Sequence, residues 1–574
     1  MSDRSGAAAL PVRVALPVRP ALPVAGAGLI LTGAICAPLF GGYLLHRDAV
    51  AVPRTPLTAA ALGIDGAPPR AVPQDGVLAV ASQVVDGGVL VAAVIALALF
   101  AAGLGAGLLA QRLLPWAGTA GAVAATGVAI WNPYVAERLL QGHWSLLTGY
   151  AALPWIVLAV QDLSRPARWA VLAGLLAVAG FTPTGSLLGL VVAAVALAAT
   201  ALVRRPLAWL GLLGLWLVTA LPWLVASAYS TGATDPVDGA AAFAARAEPL
   251  LGTLGSVLGL GGIWNADAVP VSRTSGWAAV ATVALLVVVI IGGVELGRRR
   301  RALPRAVLAL GWLAGATLVL TACAATGPGL AVVDALLAHV PGAGLLRDTQ
   351  KFLALAVPFY ALAAAAAVGA LRRWVPAGVA VAGVALLVIA PLPDLEWGVG
   401  GELAPIEYPD DYARVTALIG DDDRAVLLVP TSPMRDFAWN NAPSLSPLPR
   451  MLDAPVLVDD TLLVDEDAVD AAPHSAPGRP KDLVGVGVGV GVGVGWIVLE
   501  TPPHAEFAPP PGAQLAFAGE HLTAYRLPDA GPFRAPSTTA WVLADIAHTL
   551  WFLCLVAGLL SALGGRARRR PARP

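Results

Sequence analysis

Long apolar runs almost free of charged residues recur along this chain, and they constrain its fold more than any other feature. A helix of about 20 apolar residues crosses the hydrocarbon core of a membrane. The chain is 57% hydrophobic and 13% charged, whereas soluble domains carry about 25% charged residues. We count about 12 runs, near residues 24–45, 88–111, 116–131, 145–161, 168–182, 185–203, 207–228, 276–297, 303–323, 352–371, 375–392 and 540–562. The sequence therefore predicts a mainly α, polytopic membrane helix bundle.

Arginine is distributed unevenly between the connecting loops. It precedes the first run and follows alternate runs thereafter, at Arg4, Arg13, Arg19, Arg112, Arg165, Arg168, Arg204, Arg205, Arg298–Arg301, Arg305, Arg372, Arg373 and Arg566–Arg570. Positive residues accumulate on the cytoplasmic side of membrane proteins. Both termini are therefore predicted in the cytoplasm and the alternate loops outside a cytoplasmic (inner) membrane.

Residues 393–539 differ in composition from the membrane core. They are acidic and proline-rich, with strand-like runs at 425–430, 454–460, 496–500 and 522–527, which predict an extracytoplasmic C-terminal mixed α/β domain. Residues 484–495 alternate strictly between Val and Gly, so strand register is poorly specified there, and we interpret this segment as a slipped genetic repeat. The predicted parts are a cytoplasmic leader (1–23), a membrane core (24–392), the α/β domain (393–539), a final transmembrane helix (540–562) and a basic cytoplasmic tail (563–574).

The densest set of hydrogen-bonding side chains near the apolar runs lies in residues 131–155. Asn132-Pro133 predicts a helix start and Gly142 its end. Ionisable groups at a membrane surface are costly unless they are paired, hydrated or used. The candidate substrate-orienting residues here are Glu137, Arg138, Gln141, His143 and Trp144. A solvated ion pair beside an interfacial aromatic belt would explain the same residues without a site.

Asp48 follows the first apolar run directly, in the first outer loop. Arg70 and Asp75 lie further along this loop, toward the second run, and are also candidates for orienting substrate. A solvated polar loop with proline-set turns is the alternative interpretation.

A second charged group stands at the entrance to the tenth run. On a helix, Arg347 and Lys351 would share a face and Asp348 would occupy the first turn. Arg347 and Lys351 are two cations on the predicted outer side, whereas most positive residues accumulate on the cytoplasmic side. Phosphate binding would explain their position. An Arg347–Asp348 pair beside a snorkelling Lys351 would also account for them.

Several kinds of site are not indicated. The formal net charge of −1 provides no basic field for nucleic acid. The three cysteines show neither pairing nor CxxC spacing, and His143 has no second histidine at ligand spacing, so a metal is not indicated. No phosphate-binding loop or GxSxG motif occurs. Any chemistry must come from carboxylates and cations at the outer membrane face.

The segments LLHRDAV, NPYVAERLLQGHW and LLRDTQKF, set in a many-helix core, give the chain its resemblance to the GT-C superfamily of membrane glycosyltransferases. The resemblance covers roughly residues 24–392. NPYVAERL, GYAALPW and LLRDTQKF also look like a group of uncharacterised actinobacterial membrane proteins, some of which resemble arabinofuranosyl- and mannosyltransferases of the cell envelope. The paired-acid form of the family motif is absent, because Ala49 follows Asp48.

The resemblance implies transfer of a sugar, with inversion, from a polyprenyl-phosphate donor in the membrane to an envelope glycan or glycolipid. Asp48 would be the catalytic base, and Arg347 and Lys351 would bind the donor phosphate. The substrate-orienting set implied is Glu137, Arg138, Gln141, His143, Trp144, Arg70, Asp75 and Asp348. No cofactor is implied with certainty, and the missing second acid argues against a divalent metal. A non-catalytic scaffold or a lipid or glycan transporter is the alternative.

Overall fold

We describe the chain from a computed structural model. The residues described are 18–230, 239–340, 342–457, 461–464, 467–470, 493–500, 507–528 and 530–567. The predicted leader and basic tail lie partly outside these ranges, and so does most of the Val–Gly repeat at 484–495. The last residues of that repeat that are described begin a strand.

Helices dominate the described residues, as the apolar runs predict. The first half contains α1 (Val18–Cys36), α2 (Ala59–Leu62), α3 (Gln74–Ala81), α4 (Gly87–Leu113), α5 (Gly118–Ile130), α6 (Pro133–Leu140), α7 (Leu146–Val160), α8 (Ala167–Ala179), α9 (Pro183–Ala198), α10 (Pro206–Tyr229), α11 (Gly239–Ala242) and α12 (Gly252–Leu258). The second half contains α13 (Trp277–Arg298), α14 (Arg305–Ala324), α15 (Gly327–His339), α16 (Val357–Leu371), α17 (Ala377–Ile389), the left-handed turn α18 (Glu396–Gly400), α19 (Asp410–Ile419), α20 (Leu448–Met451) and α21 (Thr538–Ala567).

Within the described ranges, seven helices are long and apolar enough to cross a membrane. An eighth span results if Ala377–Ile389 and Pro393–Gly400, which meet at 78°, form one broken span. Several predicted spans are shorter helices. The 13 residues of α8, for example, reach about 20 Å at 1.5 Å per residue, against a hydrocarbon core of about 30 Å. The chain is a helical membrane protein.

The centre of the bundle is formed by α4, α5, α7 and α16, with α1 and α13 packed outside them. The last described helix, α21, packs against α8 and α10. A Cβ added at Gly174 would lie only 2.8 Å from the Cα of Gly558. Small residues let helix backbones approach closely inside membranes, so this glycine contact fixes α21 against α8.

The C-terminal region combines a five-stranded sheet with α19. The described strands of the chain are β1 (Leu45–His46), β2 (Ala49–Val50), β3 (Ala425–Val429), β4 (Met434–Arg435), β5 (Ser444–Leu445), β6 (Val456–Leu457), β7 (Thr461–Val464), β8 (Asp467–Asp470), β9 (Val494–Leu499), β10 (Gln514–Ala518) and β11 (Thr523–Arg526). The sheet order is β10-β11-β9-β3-β6, with β3 parallel to β6 and β9 and the other pairs antiparallel. Tyr412 and Val415 of α19 pack on Val426 and Val498. All four predicted strand runs contain a strand, so this region holds a small sheet.

Candidate functional site

Asp48 lies in a two-residue turn that joins the antiparallel strands β1 and β2. Arg47, the other turn residue, has a φ of +50°, which is uncommon for a residue with a side chain. The Arg47 backbone N–H donates to the carbonyl of Pro443 at 2.8 Å, and its carbonyl accepts from the N–H of Leu445 at 2.9 Å. The C-terminal region therefore holds the turn that presents Asp48.

Helix α6 has the ends that its sequence predicts. The Asn132 side chain caps it by accepting the N–H of Val135 at 3.1 Å, and Pro133 is its first residue. Gly142 follows the helix with a φ of +83°, a conformation that glycine adopts without steric cost. The whole helix is buried.

Gly142 also lets the Asp48 turn approach the end of α6. A Cβ at this position would lie 2.3 Å from the backbone nitrogen of Ala49. The Asp48 N–H donates to the carbonyl of Gln141 at 3.3 Å. The end of α6 therefore gives the turn a second support.

The Asp48 carboxylate is held by one of its two oxygens. Its Oδ2 accepts from Nε2 of Gln141 at 3.2 Å and lies 3.1 Å from Nε2 of His143. The Asp48 side chain is 38% exposed, and Oδ1 has no side-chain partner among the described residues. Burial would raise the pKa of Asp48, but the hydrogen bonds from His143 and Gln141 and the charge of Arg70 outweigh it and hold the pKa below its ordinary value. Asp48 is therefore ionised at neutral pH, with one oxygen open to a ligand.

Behind His143 lies a buried ion pair. The Arg138 guanidinium donates to both oxygens of Asp348, at 2.7 and 3.3 Å, and to Oε1 of Gln350. The side chains of Arg138 and Asp348 are 0% and 4% exposed. Burial would raise the pKa of Asp348, but Arg138 and Lys351 lower it below its ordinary value. Lys351 Nζ lies 3.9 Å from Asp348 and its side chain is 25% exposed, so this cation is accessible.

The structure contradicts the predicted helix that places Arg347 and Lys351 on one face. Two separate 3-10 helices, Ala343–Leu346 and Thr349–Ala356, replace it. The helix is interrupted at Asp348 (φ −89°, ψ 87°), so this residue does not occupy the first turn of an α-helix. The physical reason is the buried Arg138, because Asp348 leaves helical geometry and forms the ion pair with it.

Arg347 lies instead over the ring of Phe243, 3.8 Å from its centroid. Burial and the charge of Arg70 lower the pKa of Arg347 to about 10. No carboxylate in the described part of the chain lies within ion-pair distance of Arg347. Arg70 is exposed. Arg70 and Lys351 interact electrostatically with Asp48, and Arg347 interacts with both of these cations.

The candidate Glu137 forms its hydrogen bonds inside the protein. The oxygens of Glu137 accept from the backbone N–H groups of Gly262 and Ile263, at 3.0 and 3.2 Å, and from Gln350 at 2.8 Å. Burial and the neighbouring Glu248 raise the pKa of Glu137 to about 8.

Trp144 is 2% exposed and packs edge-on against Phe181. Asp75 pairs with Arg450 of the C-terminal region at 3.1 Å. Neither side chain bonds the Asp48 carboxylate in this conformation. Their substrate-orienting roles, like that of Glu137, stay predictions.

The sequence reasoning missed three residues that complete the arrangement. Gln350 bridges Arg138 and Glu137, and Asn265 Nδ2 donates to Gln141 Oε1 at 2.9 Å. Arg47 Nη2 donates to the carbonyl of Asp267 at 2.7 Å. An amide carries no local signal of such contacts, although Gln350 stands next to Lys351 and Arg47 next to Asp48 in the sequence.

No group of three or more His, Cys, Asp or Glu side chains suited to a metal ion occurs in the ranges described. The Asp48 site therefore consists of a carboxylate, an imidazole and cations. Such a set can accept a proton at Asp48 and bind an anion beside it.

No known family model and no curated protein matches this chain. Among solved structures, the chain is similar to the mycobacterial arabinofuranosyltransferase AftD, determined by single-particle cryo-EM, with a TM-score of 0.49 and 16% sequence identity. The similarity covers 91% of this chain and 42% of AftD, so the chain spans less than half the length of that protein.

Proposed function

We propose that this protein is a membrane glycosyltransferase that moves a sugar from a polyprenyl-phosphate donor to an envelope glycan or glycolipid. One observation carries the proposal: Asp48 keeps one oxygen without a side-chain partner among the described residues and interacts electrostatically with Arg70 and Lys351, and Arg347 in turn acts on both of these cations. A base beside an unneutralised group of cations suits a reaction in which a hydroxyl loses a proton and a phosphate leaves.

The proposed reaction is a single displacement. The acceptor hydroxyl oxygen attacks the anomeric carbon of the donor and forms the new glycosidic bond, while the bond from that carbon to the phosphate oxygen breaks. Its electron pair leaves with the polyprenyl phosphate, and the hydroxyl proton passes to Asp48. Lys351 and Arg347 neutralise the leaving phosphate, an interaction that a partly dehydrated site strengthens. The configuration at the anomeric carbon inverts.

The charge count supports an anionic donor. Asp48 and Asp348 contribute two negative charges to the site, and Arg138, Lys351, Arg347 and Arg70 contribute four positive ones. Arg47 also acts on Asp48 but is left out of this count, because Asp267 and Glu402 balance its charge. Arg138 is committed to Asp348. The remaining excess of positive charge matches a phosphate, which Arg and Lys bind well.

The proposal includes a topology of about 12 spans, with both termini in the cytoplasm and residues 393–539 outside the cytoplasmic membrane. Contacts among the arginines assigned to the cytoplasm support it. Arg373 and Arg299 both bond Glu295, and Arg299 stacks over Trp116 with its guanidinium carbon 4.1 Å from the ring centroid. Arg372 donates to the carbonyl of Ala117 at 3.2 Å. The charged ends of α13 and α16 thus meet the start of α5.

A deletion strain complemented with matched levels of wild type, Asp48→Asn or Asp410→Asn tests the proposal. The control Asp410 is a carboxylate at the start of α19, with a side chain that is 89% exposed. Mass spectrometry of envelope glycans and glycolipids is the readout. We expect wild type and Asp410→Asn to restore a sugar that Asp48→Asn does not, and the missing residue identifies the donor sugar. Equal restoration by all three would remove Asp48 as the base and favour a scaffold or transporter.

The cations are tested separately with membranes that contain each variant. Arg347→Ala is expected to raise the KM for the lipid-linked donor, because an unpaired cation is lost, and Arg347→Lys is expected to restore part of the affinity. Arg414→Ala, which alters an exposed cation (66%) on α19, is the control. An unchanged donor KM in Arg347→Ala would remove Arg347 from the phosphate site.

A further inference from the structure

His143 lies between two groups whose chemistry defines its protonation state. Nη1 of Arg138 lies 2.9 Å from Nδ1 of His143. A guanidinium can only donate hydrogen bonds, so Nδ1 must be the acceptor and carry no proton. A neutral imidazole with a bare Nδ1 carries its proton on Nε2. Nε2 lies 3.1 Å from Oδ2 of Asp48, so the imidazole donates to the carboxylate.

Arg138 cannot readily move away to release Nδ1. Its guanidinium is fully buried and makes two bonds to Asp348 and one to Gln350. A second proton on His143 would have to displace this anchored donor and place a positive charge against it. Burial and the charges of Lys351 and Arg138 lower the pKa of His143, and the hydrogen bond to Asp48 opposes this only in part.

On these grounds we propose that His143 positions Asp48, as a neutral imidazole protonated on Nε2, and that it neither carries the reaction proton nor contacts substrate. The proposal rests on the transfer reaction proposed above. His143 and Gln141 both bond Oδ2 of Asp48. Oδ1 is thereby directed to the acceptor hydroxyl, and the proton taken from that hydroxyl stays on Asp48 until it is released.

Two substitutions separate the two functions of the ring. His143→Gln offers an amide N–H at the position of Nε2, which can donate to Asp48. His143→Asn offers an oxygen near the position of Nδ1, which can accept from Arg138 but cannot reach Asp48. We expect His143→Gln to retain most of kcat and His143→Asn to lower kcat about 100-fold, the cost of a misplaced reacting group, with KM nearly unchanged in both.

The pH dependence of kcat/KM distinguishes a positioning role of His143 from a purely structural one. The titratable or charged groups that act on Asp48 are His46, Arg47, Arg70, His143 and Lys351. Loss of the His143 bond raises the pKa of Asp48, so the acid limb of kcat/KM is expected at higher pH in His143→Asn than in wild type or His143→Gln. A wild-type acid limb near the ordinary histidine pKa of about 6.5 that disappears in His143→Gln would instead identify His143 as the proton carrier. A raised KM with unchanged kcat would identify a substrate contact. Either result overturns the proposal.

A spectroscopic measurement separates this inference from the proposed function. The full-length protein is labelled with ¹⁵N in the imidazole rings, placed in lipid nanodiscs and compared with His143→Gln to assign the His143 signals. We expect an unprotonated Nδ1 and a protonated Nε2 at neutral pH. A protonated Nδ1 would overturn the inference whether or not transfer occurs. If no sugar is transferred in any assay, the proposed function fails, while the ¹⁵N spectrum still decides the tautomer.

Discussion

The buried Arg138–Asp348 pair gives the sharpest stability prediction. Replacing Arg138 with Met removes four bonds, to Asp348 twice, to Gln350 and to His143. It leaves the Asp348 carboxylate buried, and among the described residues Lys351, with Nζ at 3.9 Å, is then the one cation within ion-pair distance. Removing one partner of a buried ion pair costs about 3–5 kcal/mol. The remaining lysine places our expectation at the lower end, about 3 kcal/mol.

The corresponding exposed pair provides the control. Arg414 and Asp410 lie 3.9 Å apart, with side chains 66% and 89% exposed. Because solvent screens this pair, Arg414→Met is expected to cost about 1 kcal/mol or less. Unfolding of both variants in the same detergent, followed by tryptophan fluorescence, measures the difference.

A double-mutant cycle then tests the cause. Asp348→Asn removes the charge that Arg138→Met leaves unpaired, so the double variant is expected to be more stable than the sum of the two single losses by about 2 kcal/mol, within the range measured for contacting residues. Strict additivity, or equal losses in Arg138→Met and Arg414→Met, would refute the reasoning that burial makes the unpaired Asp348 costly.

Three further outcomes follow from the geometry. Gly142→Ala is expected to lower both stability and transfer, because its Cβ would clash with the Asp48 turn at a positive φ, whereas Gly127→Ala, which has open space around it, is expected to do neither. Leu445→Pro removes the N–H that bonds Arg47 and is expected to lower kcat in the glycan assay. The folded pKa of Asp348 lies below its ordinary value, so its stabilisation is complete above about pH 4 and is lost as pH falls through the folded pKa. Acid titration of Arg138→Met should therefore show a smaller loss than wild type.

Local sequence signals predicted the helices, the strand runs and both ends of α6. Asn132-Pro133 and Gly142 act within a few residues of their own position, and a single chain carries that information. The number of membrane spans could not be predicted in the same way, because it depends on the length of each helix. Turns shorten several apolar runs to helices such as α8.

The contact of Asp48 with His143 and that of Arg138 with Asp348 could not be predicted from the sequence. Each pair is brought together by the packing of chain segments far apart in sequence. The helix predicted through Arg347 and Lys351 was wrong for the same reason, since a partner distant in sequence outweighed the local preference at Asp348. Gln350 and Asn265 stayed unnoticed because an amide becomes part of a site only through its neighbours.

The two backbone bonds between Arg47 and the Pro443–Leu445 segment also bear on how the protein matures. On the proposed topology, the first outer loop emerges early in biosynthesis, while Leu445 is still to be made. Until that late segment has crossed the membrane and folded, the turn at Asp48 lacks one of its two supports. A nascent chain therefore holds the carboxylate that we propose as the base only loosely, and on the proposed function it becomes competent for transfer near the end of translocation. Truncated or stalled chains are then expected to occupy the membrane without consuming the proposed lipid-linked sugar.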